Sequence, residues 1–322
     1  MKIESSNKHF DYDNPRPVTW KSQIKKAILA LLSNYYQVKY SLIKVPIKDK
    51  KYNVSICAIF KNEAPYLKEW IEYHKIIGIE HFFLYNNLSE DNYEEVLAPY
   101  VADGTVTLVQ WPYPQTQMKA YNNCMERFSD QSKWIGFVDI DEFVVPKSTH
   151  NIYSFLKDFE KYPAVLMYWR LFGSSALMDR DLSTLVTDSF FSCWPKYDEI
   201  GKCFFNTAYE LDMNYAKNTA FHHFVWGKYK GKYYPPVNVF GYVLFDQKRN
   251  KAKSNEFPIQ INHYFTKSYG EYLVKKSKGD VFFKANPHDL EYFYKHEMRC
   301  TGTDYSIYKY LVKLKLAMGV KK

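Results

Sequence analysis

Two aspartates separated by one residue end an apolar, strand-like run in this 322-residue sequence. The run is FVDIDEF, residues 137–143, in which Asp139 and Asp141 flank Ile140. Residues i and i+2 of an extended chain face the same side, so we expect the carboxylates to converge and Ile140 to point into the core. Carboxylates that close repel each other unless a cation lies between them or one of them is protonated. The pattern therefore favours a site for Mg²⁺ or Mn²⁺ and a phosphorylated ligand over an exposed acidic turn.

Alternating strands and helices precede this motif and must position it. The predicted strands cover 54–60, 81–85, 105–111 and 134–140, and the predicted helices cover 61–78, 93–101 and 115–128. Short links between them are typical of βαβ units in a doubly wound sheet. Such sheets bind ligands at the carboxyl ends of their strands, which is where the two aspartates fall.

The pattern changes in the second half of the chain. A helix over 151–162 and a strand over 164–172 are followed by 173–262, which we predict to be irregular with short strand-like pieces. A more helical segment begins near Lys267. No linker separates the halves, so we predict a single domain over 52–300.

The net charge of +9 is concentrated at the two ends. Residues 1–51 hold eleven Lys and Arg against four Asp and Glu, and 301–322 hold five Lys against one Asp, whereas 52–300 are slightly acidic. We therefore predict a basic N-terminal segment (1–51) and a basic C-terminal tail (301–322). A nucleic-acid binder more often carries its basic surface on the folded body. Basic ends instead suit an anionic membrane surface, unless they are simply solvated tails.

An amphipathic helix is predicted from Trp20 onward, with lysines on its flank. It could lie on a membrane surface or pack on the body. No wholly apolar run exceeds six residues and no secretory signal is apparent, so we expect a cytoplasmic protein, peripheral on the inner membrane face if its ends bind lipid.

The five cysteines include no CxxC pair, which favours reduced thiols over disulfides or a zinc site.

Several enzyme classes are disfavoured because their motifs are missing from the sequence. There is no GxxxxGK[ST] or GxGxxG loop, no GxSxG elbow, and no His-x-Glu followed by Cys-x-x-Cys. The missing motifs therefore disfavour four classes: P-loop kinases, ordinary dehydrogenases, hydrolases with a nucleophile elbow and zinc deaminases.

Five blocks in order resemble glycosyltransferase family 92 and its relatives with the GT-A fold. They begin at residues 54, 115, 134, 169 and 261 and read VSICAIFKNEAPYLKEW, QTQMKAYNNC, WIGFVDIDEFVVP, WRLFGSS and INHYFTKSYGEYLVKKSKGD. The resemblance covers 54–280. It implies an α/β, GT-A-like mixed sheet flanked by helices. It also implies a metal-dependent hexosyltransferase that moves a sugar, with inversion, from a nucleotide-diphosphate donor to a hydroxyl of a glycan or lipid-linked acceptor.

The resemblance also assigns roles to individual residues. The metal ligands would be Asp139, Asp141 and His263, with the imidazole favouring Mn²⁺ over Mg²⁺. The nucleotide sugar would be bound by residues at the ends of several predicted elements: Phe60, Asn62, Glu63, Asn87, Asp139 and Lys267. The acceptor side would be lined by Trp169, Phe172 and Ser174.

The catalytic base is left open between Glu142 and Glu271. An inverting transfer needs a carboxylate to take the proton of the acceptor hydroxyl. Relatives often place Asp at the position of Asn86, so the nucleotide preference is also open. His222 and His223 are adjacent, and neither is assigned to the site.

We expect a transferase that acts in surface polysaccharide synthesis, but two other classes of function remain as alternative interpretations of the sequence. The first is a non-catalytic protein of the same fold that binds a glycan or anionic lipid. The second is a nucleic-acid binder that uses the basic ends, whose binding would fall steeply with salt.

Overall fold

The computed structural model describes residues 8–11, 19–46, 48–217, 219–246, 251–277 and 289–320. The helices of these segments are α1 (Trp20–Leu42), α2 (Ala64–Ile76), α3 (Tyr93–Ala102), α4 (Gln117–Phe128), α5 (Ile152–Leu156), α6 (Val186–Ser189), α7 (Met213–Ala216), α8 (Tyr269–Ser277), α9 (Leu290–Arg299) and α10 (Leu311–Met318). Two 3₁₀ turns, Lys157–Phe159 and Ser306–Tyr310, continue α5 and precede α10.

The strands of the same segments are β1 (Phe10–Asp11), β2 (Tyr52–Phe60), β3 (His81–Asn86), β4 (Val106–Gln110), β5 (Ser132–Phe137), β6 (Glu142–Pro146), β7 (Ala164–Leu171), β8 (Ser192–Cys193), β9 (Tyr197–Asp198), β10 (Gly201–Asn206), β11 (Glu210–Leu211), β12 (Gly227–Tyr229), β13 (Lys232–Tyr234), β14 (Val237–Asn238), β15 (Ile259–His263) and β16 (Gly302–Thr303).

The main sheet has the strand order β4-β3-β2-β5-β10-β7-β15-β6, with β14 beside β7. The first four strands in this order are mutually parallel, and α2, α3 and α4 connect them in sequence. The predicted βαβ alternation is therefore confirmed. The chain builds β3 and β4 on one side of β2 and then β5 on the other. Loops diverge at such a reversal and leave a crevice at the carboxyl ends of the strands.

The other half of the sheet is mixed. β10 runs antiparallel to both β5 and β7, and β15 runs parallel to β7 but antiparallel to β6. The prediction of an irregular segment over 173–262 is wrong for β10, which lies in the middle of the sheet with all six residues buried. The strand was missed because Lys202 interrupts a short apolar run, whereas the fold pairs that lysine with acids. The α/β class and the mixed sheet flanked by helices are confirmed.

Residues from both terminal segments contribute to the hydrophobic core, although the sequence predicted 1–51 and 301–322 as extensions outside the folded domain. Phe10 and Tyr40 are buried near the start, as are Ile307 and Leu314 near the end. The helix predicted from Trp20 is present as α1, and Thr19 caps it by accepting a hydrogen bond from Ser22 N–H. Within the described segments, no helix combines the length and apolar character needed to cross a bilayer. All five cysteines are free thiols.

Candidate active site

The acidic motif forms a turn between two strands rather than the end of one. β5 ends at Phe137 and β6 begins at Glu142, so the predicted extension of the strand to residue 140 is wrong. Glu142 N–H donates to Asp139 O (3.0 Å), and Trp70 of α2 donates its indole N–H to Asp139 O (3.1 Å) and Glu142 O (2.9 Å). These bonds hold the turn at the carboxyl end of β5. Ile140 packs inward, as predicted.

Asp139 is held by a buried lysine. Lys202 of β10 is 1% exposed, and its Nζ lies 2.6 Å from Asp139 Oδ2. Tyr121 O–H (3.0 Å) and Gln117 N–H (3.3 Å), both on α4, donate to Asp139 Oδ1. Burial alone would raise the pKa of Asp139, but the Lys202 ammonium and the hydrogen bond from Tyr121 lower it below its ordinary value. Asp139 is thus held by three side chains of the protein: Lys202, Tyr121 and Gln117.

Asp141 points to a different set of groups. Its Oδ2 lies 2.5 Å from Lys275 Nζ on α8, and its Oδ1 lies 3.6 Å from His263 Nε2 at the end of β15. Burial opposes ionisation of Asp141, yet the neighbouring cations keep its pKa well below the ordinary value. The two aspartates are thus bound separately, contrary to the predicted convergence on a shared cation.

Glu142 lies behind His263 and does not face the crevice. It is fully buried, its Oε2 accepts from Asp139 N–H (3.0 Å), and its Oε1 lies 4.0 Å from His263 Nδ1. Neither Oε1 nor Nδ1 has a hydrogen-bond partner within the described segments. Burial raises the pKa of Glu142 well above its ordinary value. A carboxyl with no exposed surface cannot reach an acceptor hydroxyl, so the prediction of Glu142 as the base is corrected.

Glu271, the other predicted base, is part of a structural network. It accepts from Arg180 Nη2–H (2.7 Å), from Ser268 Oγ–H (2.7 Å) and from Tyr66 O–H (2.9 Å). Burial opposes ionisation of Glu271, but Arg180 and Ser268 hold its pKa below the ordinary value. A carboxylate so well satisfied is a weak base, so this prediction is corrected as well.

Lys267, which the resemblance assigns to the diphosphate, lies close enough to Asp141 for the two charges to interact. It is 5% exposed and adopts a left-handed backbone conformation (φ 51°), which a non-glycine residue seldom takes. Its Nζ lies 4.3 Å from the centre of the Tyr66 ring. Burial lowers the pKa of Lys267, while Glu63 and Asp141 act to raise it. Lys267, Lys275 and Lys202 together surround the acidic turn with ammonium groups.

The residues predicted at the nucleoside edge divide into two groups. Phe60 is 1% exposed and packs edge-on against Tyr93, so it belongs to the core. Asn87 is buried and its amide donates to Trp111 O (2.8 Å) and Tyr113 O (2.9 Å), which ties two loops together. These two residues are therefore corrected from binding residues to structural ones. Asn62 and Glu63 are partly exposed at the end of β2, where they can contact a ligand.

The predicted acceptor residues also separate. Trp169 is partly exposed, with its ring centre 4.7 Å from that of His263 and 5.2 Å from that of His223. Phe172 is fully buried, and Ser174 is buried with its Oγ–H donating to Glu297 (2.7 Å). The prediction is corrected for Phe172 and Ser174, which are inaccessible to an acceptor. His223, unassigned from sequence, lies beside Trp169.

The three predicted metal ligands do not form a compact cluster. Among the described residues, one set of three His, Cys or acidic side chains has its donor atoms all within 4.8 Å of one another. That set is His296, Glu297 and Cys300. That cluster is poorly suited to a cation, because Glu297 already accepts from Ser174 N–H and burial raises the pKa of the Cys300 thiol. In the predicted set, Asp141 and His263 lie close together, whereas Asp139 is held by Lys202.

Sequence reasoning missed two of the site's cations, Lys202 and Lys275. Lys202 had a detectable signal, since a lysine within the apolar run GKCFFN requires a buried anion as its partner. Lys275 lies two helical turns beyond Lys267 on the same segment, but the sequence does not show that α8 folds back over the acidic turn.

Comparisons with known proteins agree with the block pattern. The family model described as glycosyltransferase family 92 matches residues 50–278. A glycosyltransferase family 92 protein of Oryza sativa subsp. japonica is 32% identical over 117 residues, which cover 36% of this chain and 20% of that protein. A galactan beta-1,4-galactosyltransferase of Arabidopsis thaliana is 31% identical over 139 residues, covering 39% of this chain and 27% of that protein.

The chain thus matches only about a fifth to a quarter of the length of these curated relatives. Among solved structures, S. aureus TarS residues 1–349 is similar with a TM-score of 0.35 and 11% identity, covering 58% of this chain and 60% of that one.

Proposed function

Because the chain belongs to glycosyltransferase family 92, we propose that it is an enzyme that transfers a hexose from a nucleotide-diphosphate donor to a hydroxyl of a glycan or lipid-linked acceptor. The single observation that carries this proposal is the acidic turn at the carboxyl end of β5, with Asp141 beside His263 and three lysines around it. A glycan acceptor is supported by the galactan beta-1,4-galactosyltransferase among the relatives, which also makes galactose the first donor sugar to test.

The residues at Asp141 fit a divalent cation. One carboxylate oxygen and one imidazole nitrogen lie 3.6 Å apart, and a mixed oxygen and nitrogen donor set suits Mn²⁺. The second nitrogen of His263 lies 4.0 Å from Glu142 Oε1, and a hydrogen bond formed there on metal binding would orient the imidazole. Asp141 and His263 would hold the metal, which would supply positive charge to the diphosphate leaving group.

The protein's own lysines would also stabilise the negative charge of the diphosphate leaving group. The bond from the sugar to the diphosphate breaks as negative charge builds on the leaving oxygen. Lys267 and Lys275 are both close enough to Asp141 to shift its pKa, so a diphosphate at this carboxylate would meet two ammonium groups. Both lysines belong to the segment that runs from β15 through α8, so their ammonium groups are already beside the site when the charge develops.

Asp139 and Trp169 would position the donor and acceptor. Asp139 keeps part of its surface exposed while Lys202, Tyr121 and Gln117 fix its orientation, which suits a carboxylate that accepts from sugar or ribose hydroxyls. Trp169 offers an aromatic face of the kind on which sugar rings stack. We propose an inverting reaction, in line with the family resemblance, in surface polysaccharide synthesis. The base it requires is then a group other than Glu142 and Glu271.

A donor screen tests the enzymatic proposal. The protein is incubated with UDP-galactose, UDP-glucose or UDP-N-acetylglucosamine and glycan acceptors, with Mn²⁺ or with EDTA, and released nucleoside diphosphate is measured. We expect Mn²⁺-dependent release that falls at least about a hundredfold in Asp141→Asn. Asp130→Asn, at an exposed position before β5, is the matched control and should retain the wild-type rate.

The alternative of a non-catalytic binding protein predicts a different outcome of the same screen. The two aspartates are already paired with lysines, an arrangement that would also suit a site that binds an anion without reacting. Donor binding without release from any donor, at every metal condition, would contradict the enzymatic proposal.

A further inference from the structure

The outer face of α1 carries a continuous apolar stripe that nothing in the described structure covers. Its exposed members include Trp20 (70%), Leu31 (72%) and Leu42 (76%). The whole stripe is spaced by three or four residues and consists of Trp20, Ile24, Ile28, Leu31, Tyr35, Val38 and Leu42. That spacing places the side chains on one side of the helix. A contiguous apolar surface of this kind usually marks a site of interaction.

The opposite side of α1 is the side that packs on the body. Tyr40 is 1% exposed and stacks edge-on against Tyr162, and Tyr36 lies edge-on to Trp226. Gln37 also donates to Gly241 O (2.7 Å). On a helical wheel, Tyr36 and Tyr40 fall on the side away from the stripe. The helix is therefore fixed to the body with its apolar stripe turned outward.

The charge of α1 favours an anionic partner. Between residues 20 and 42 there are four lysines and no acidic residue. Lys21, Lys25 and Lys39 lie along one flank of the stripe, where long side chains can reach a headgroup layer while the stripe is buried. Lys25 also contacts Asp246 at 3.7 Å, but both groups are well exposed, so this pair holds the lysine weakly.

A second copy of the chain is a less suitable partner for the stripe. The positions that border the apolar stripe are Lys25, Leu32 and Lys39 on one flank and Ala27, Asn34 and Ser41 on the other. Paired helices select each other through opposite charges at such positions. With no acid in α1, two copies would meet without ion pairs, and an antiparallel pair would bring lysines together.

We propose that α1 lies lengthwise on an anionic lipid surface, with its apolar stripe in the boundary between headgroups and acyl chains and its lysines at the phosphates. The 23 residues of α1 span about 35 Å, long enough for the stripe to make an extended contact parallel to the surface. The occupant is thus a membrane surface rich in anionic lipid, and binding depends on both the apolar and the charged groups.

The position of α1 also orients the site. Tyr40 contacts Tyr162, which precedes the amino end of β7, whereas Trp169 and the acidic turn lie toward the carboxyl end of that strand. The seven residue-to-residue steps from Tyr162 to Trp169 span about 23 Å in an extended strand. The crevice therefore lies at the other end of the sheet from this contact, at a distance that a glycan extending from the bilayer can reach.

Vesicle sedimentation tests the proposal with the full chain. Wild-type protein is mixed with phosphatidylcholine vesicles with or without phosphatidylglycerol, at low and high salt. We expect binding to the anionic vesicles that weakens with salt. Replacing four exposed stripe residues (Ile24→Gln, Ile28→Gln, Leu31→Gln and Val38→Gln) should lower the partition onto anionic vesicles by more than about tenfold.

A matched control removes exposed apolar groups elsewhere. Met178→Gln, Leu182→Gln and Met298→Gln change side chains that are 66%, 54% and 80% exposed outside α1, and should leave vesicle binding unchanged. Circular dichroism would verify that the stripe variant keeps its helices. Unchanged binding by the stripe variant, or equal binding to neutral and anionic vesicles, would overturn the proposal. So would a wild-type dimer in sedimentation velocity that the stripe variant loses.

Discussion

The ammonium of Lys275 lies 2.5 Å from Oδ2 of Asp141, the carboxylate to which the family resemblance assigns the metal. The other aspartate of the motif is paired in the same way, with Lys202 Nζ 2.6 Å from Asp139. Each carboxylate thus has its own lysine. A divalent cation that binds Asp141 must therefore compete with the Lys275 ammonium, either displacing it or sharing the carboxylate with it.

Removing the Lys275 charge should strengthen metal binding. In Lys275→Met, Asp141 keeps its negative charge and loses its nearest cation, so repulsion of the incoming ion decreases. We expect the affinity for Mn²⁺, measured by electron paramagnetic resonance of the free ion, to rise about tenfold or more. Lys276→Met, at the exposed neighbouring position, is the control and should bind Mn²⁺ as the wild type does. Equal affinities in the two variants would contradict this competition.

Removing the Lys202 charge should destabilise the fold. Lys202→Met leaves Asp139 without its cation and removes the ammonium that lies 3.6 Å from the buried Glu142. Breaking a buried pair costs about 3–5 kcal/mol, and the partial exposure of Asp139 brings the expected loss toward about 3 kcal/mol. Urea unfolding measures it, with the exposed Lys68→Met as control. A decrease of less than about 1 kcal/mol in the free energy of unfolding would show that the Lys202–Asp139 pair contributes little to stability.

The sequence predicted the parallel half of the fold well because local patterns determine it. β2, β3 and β5 are apolar runs of strand length, and the helices between them have clear faces, so order and type followed directly. The mixed half could not be predicted in the same way. β10 and β15 are specified by pairing with strands distant in sequence, and Lys202 breaks the apolar run that would have revealed β10.

The site was predicted in outline but not in its pairing. The acidic motif, His263, Lys267 and Trp169 do come together around the crevice. The prediction that Asp139 and Asp141 would share one cation assumed an extended chain, whereas a turn separates them. Phe172 and Asn87 lie beside site elements in sequence but point into the core or into loop contacts, which periodicity alone could not show.

Glu271 is expected to have a structural role, so a conservative change there should be mild. Glu271→Gln can keep the hydrogen bonds with Ser268 and Tyr66 while losing the ion pair with Arg180. We expect kcat for sugar transfer to fall by less than about tenfold, with the pH profile unchanged. Loss of a general base typically costs about 10²–10⁴ in rate, together with the acidic limb of the profile. That second result would restore Glu271 as the base.

Buried histidines should make the fold sensitive to mild acid. Burial lowers the pKa of His81 from 6.5 to about 4, so the folded state keeps this imidazole neutral. Below pH 6.5 the unfolded chain binds a proton that the folded chain does not, so stability is lost as pH falls from 6.5 to about 4. The slope is about 1.4 kcal/mol per pH unit for this residue.

Replacing His81 tests that linkage. His81→Phe can keep the stacking with Tyr52, whose ring centre lies 4.4 Å away, and removes the titrating group. Urea unfolding at a series of pH values should show the acid slope reduced by about 1.4 kcal/mol per pH unit. His150→Phe, at an exposed position, should leave the slope as in the wild type. An unaltered slope in His81→Phe would contradict the burial argument.

The most direct test of the metal and leaving-group site is the anomalous scattering of manganese in crystals grown with Mn²⁺ and a nucleoside diphosphate. We expect one peak bound by Asp141 and His263, the diphosphate beside it, and Lys267 and Lys275 in contact with phosphate oxygens. A crystal in which both aspartates remain on their lysines, with the manganese absent or bound at His296, Glu297 and Cys300, would contradict it.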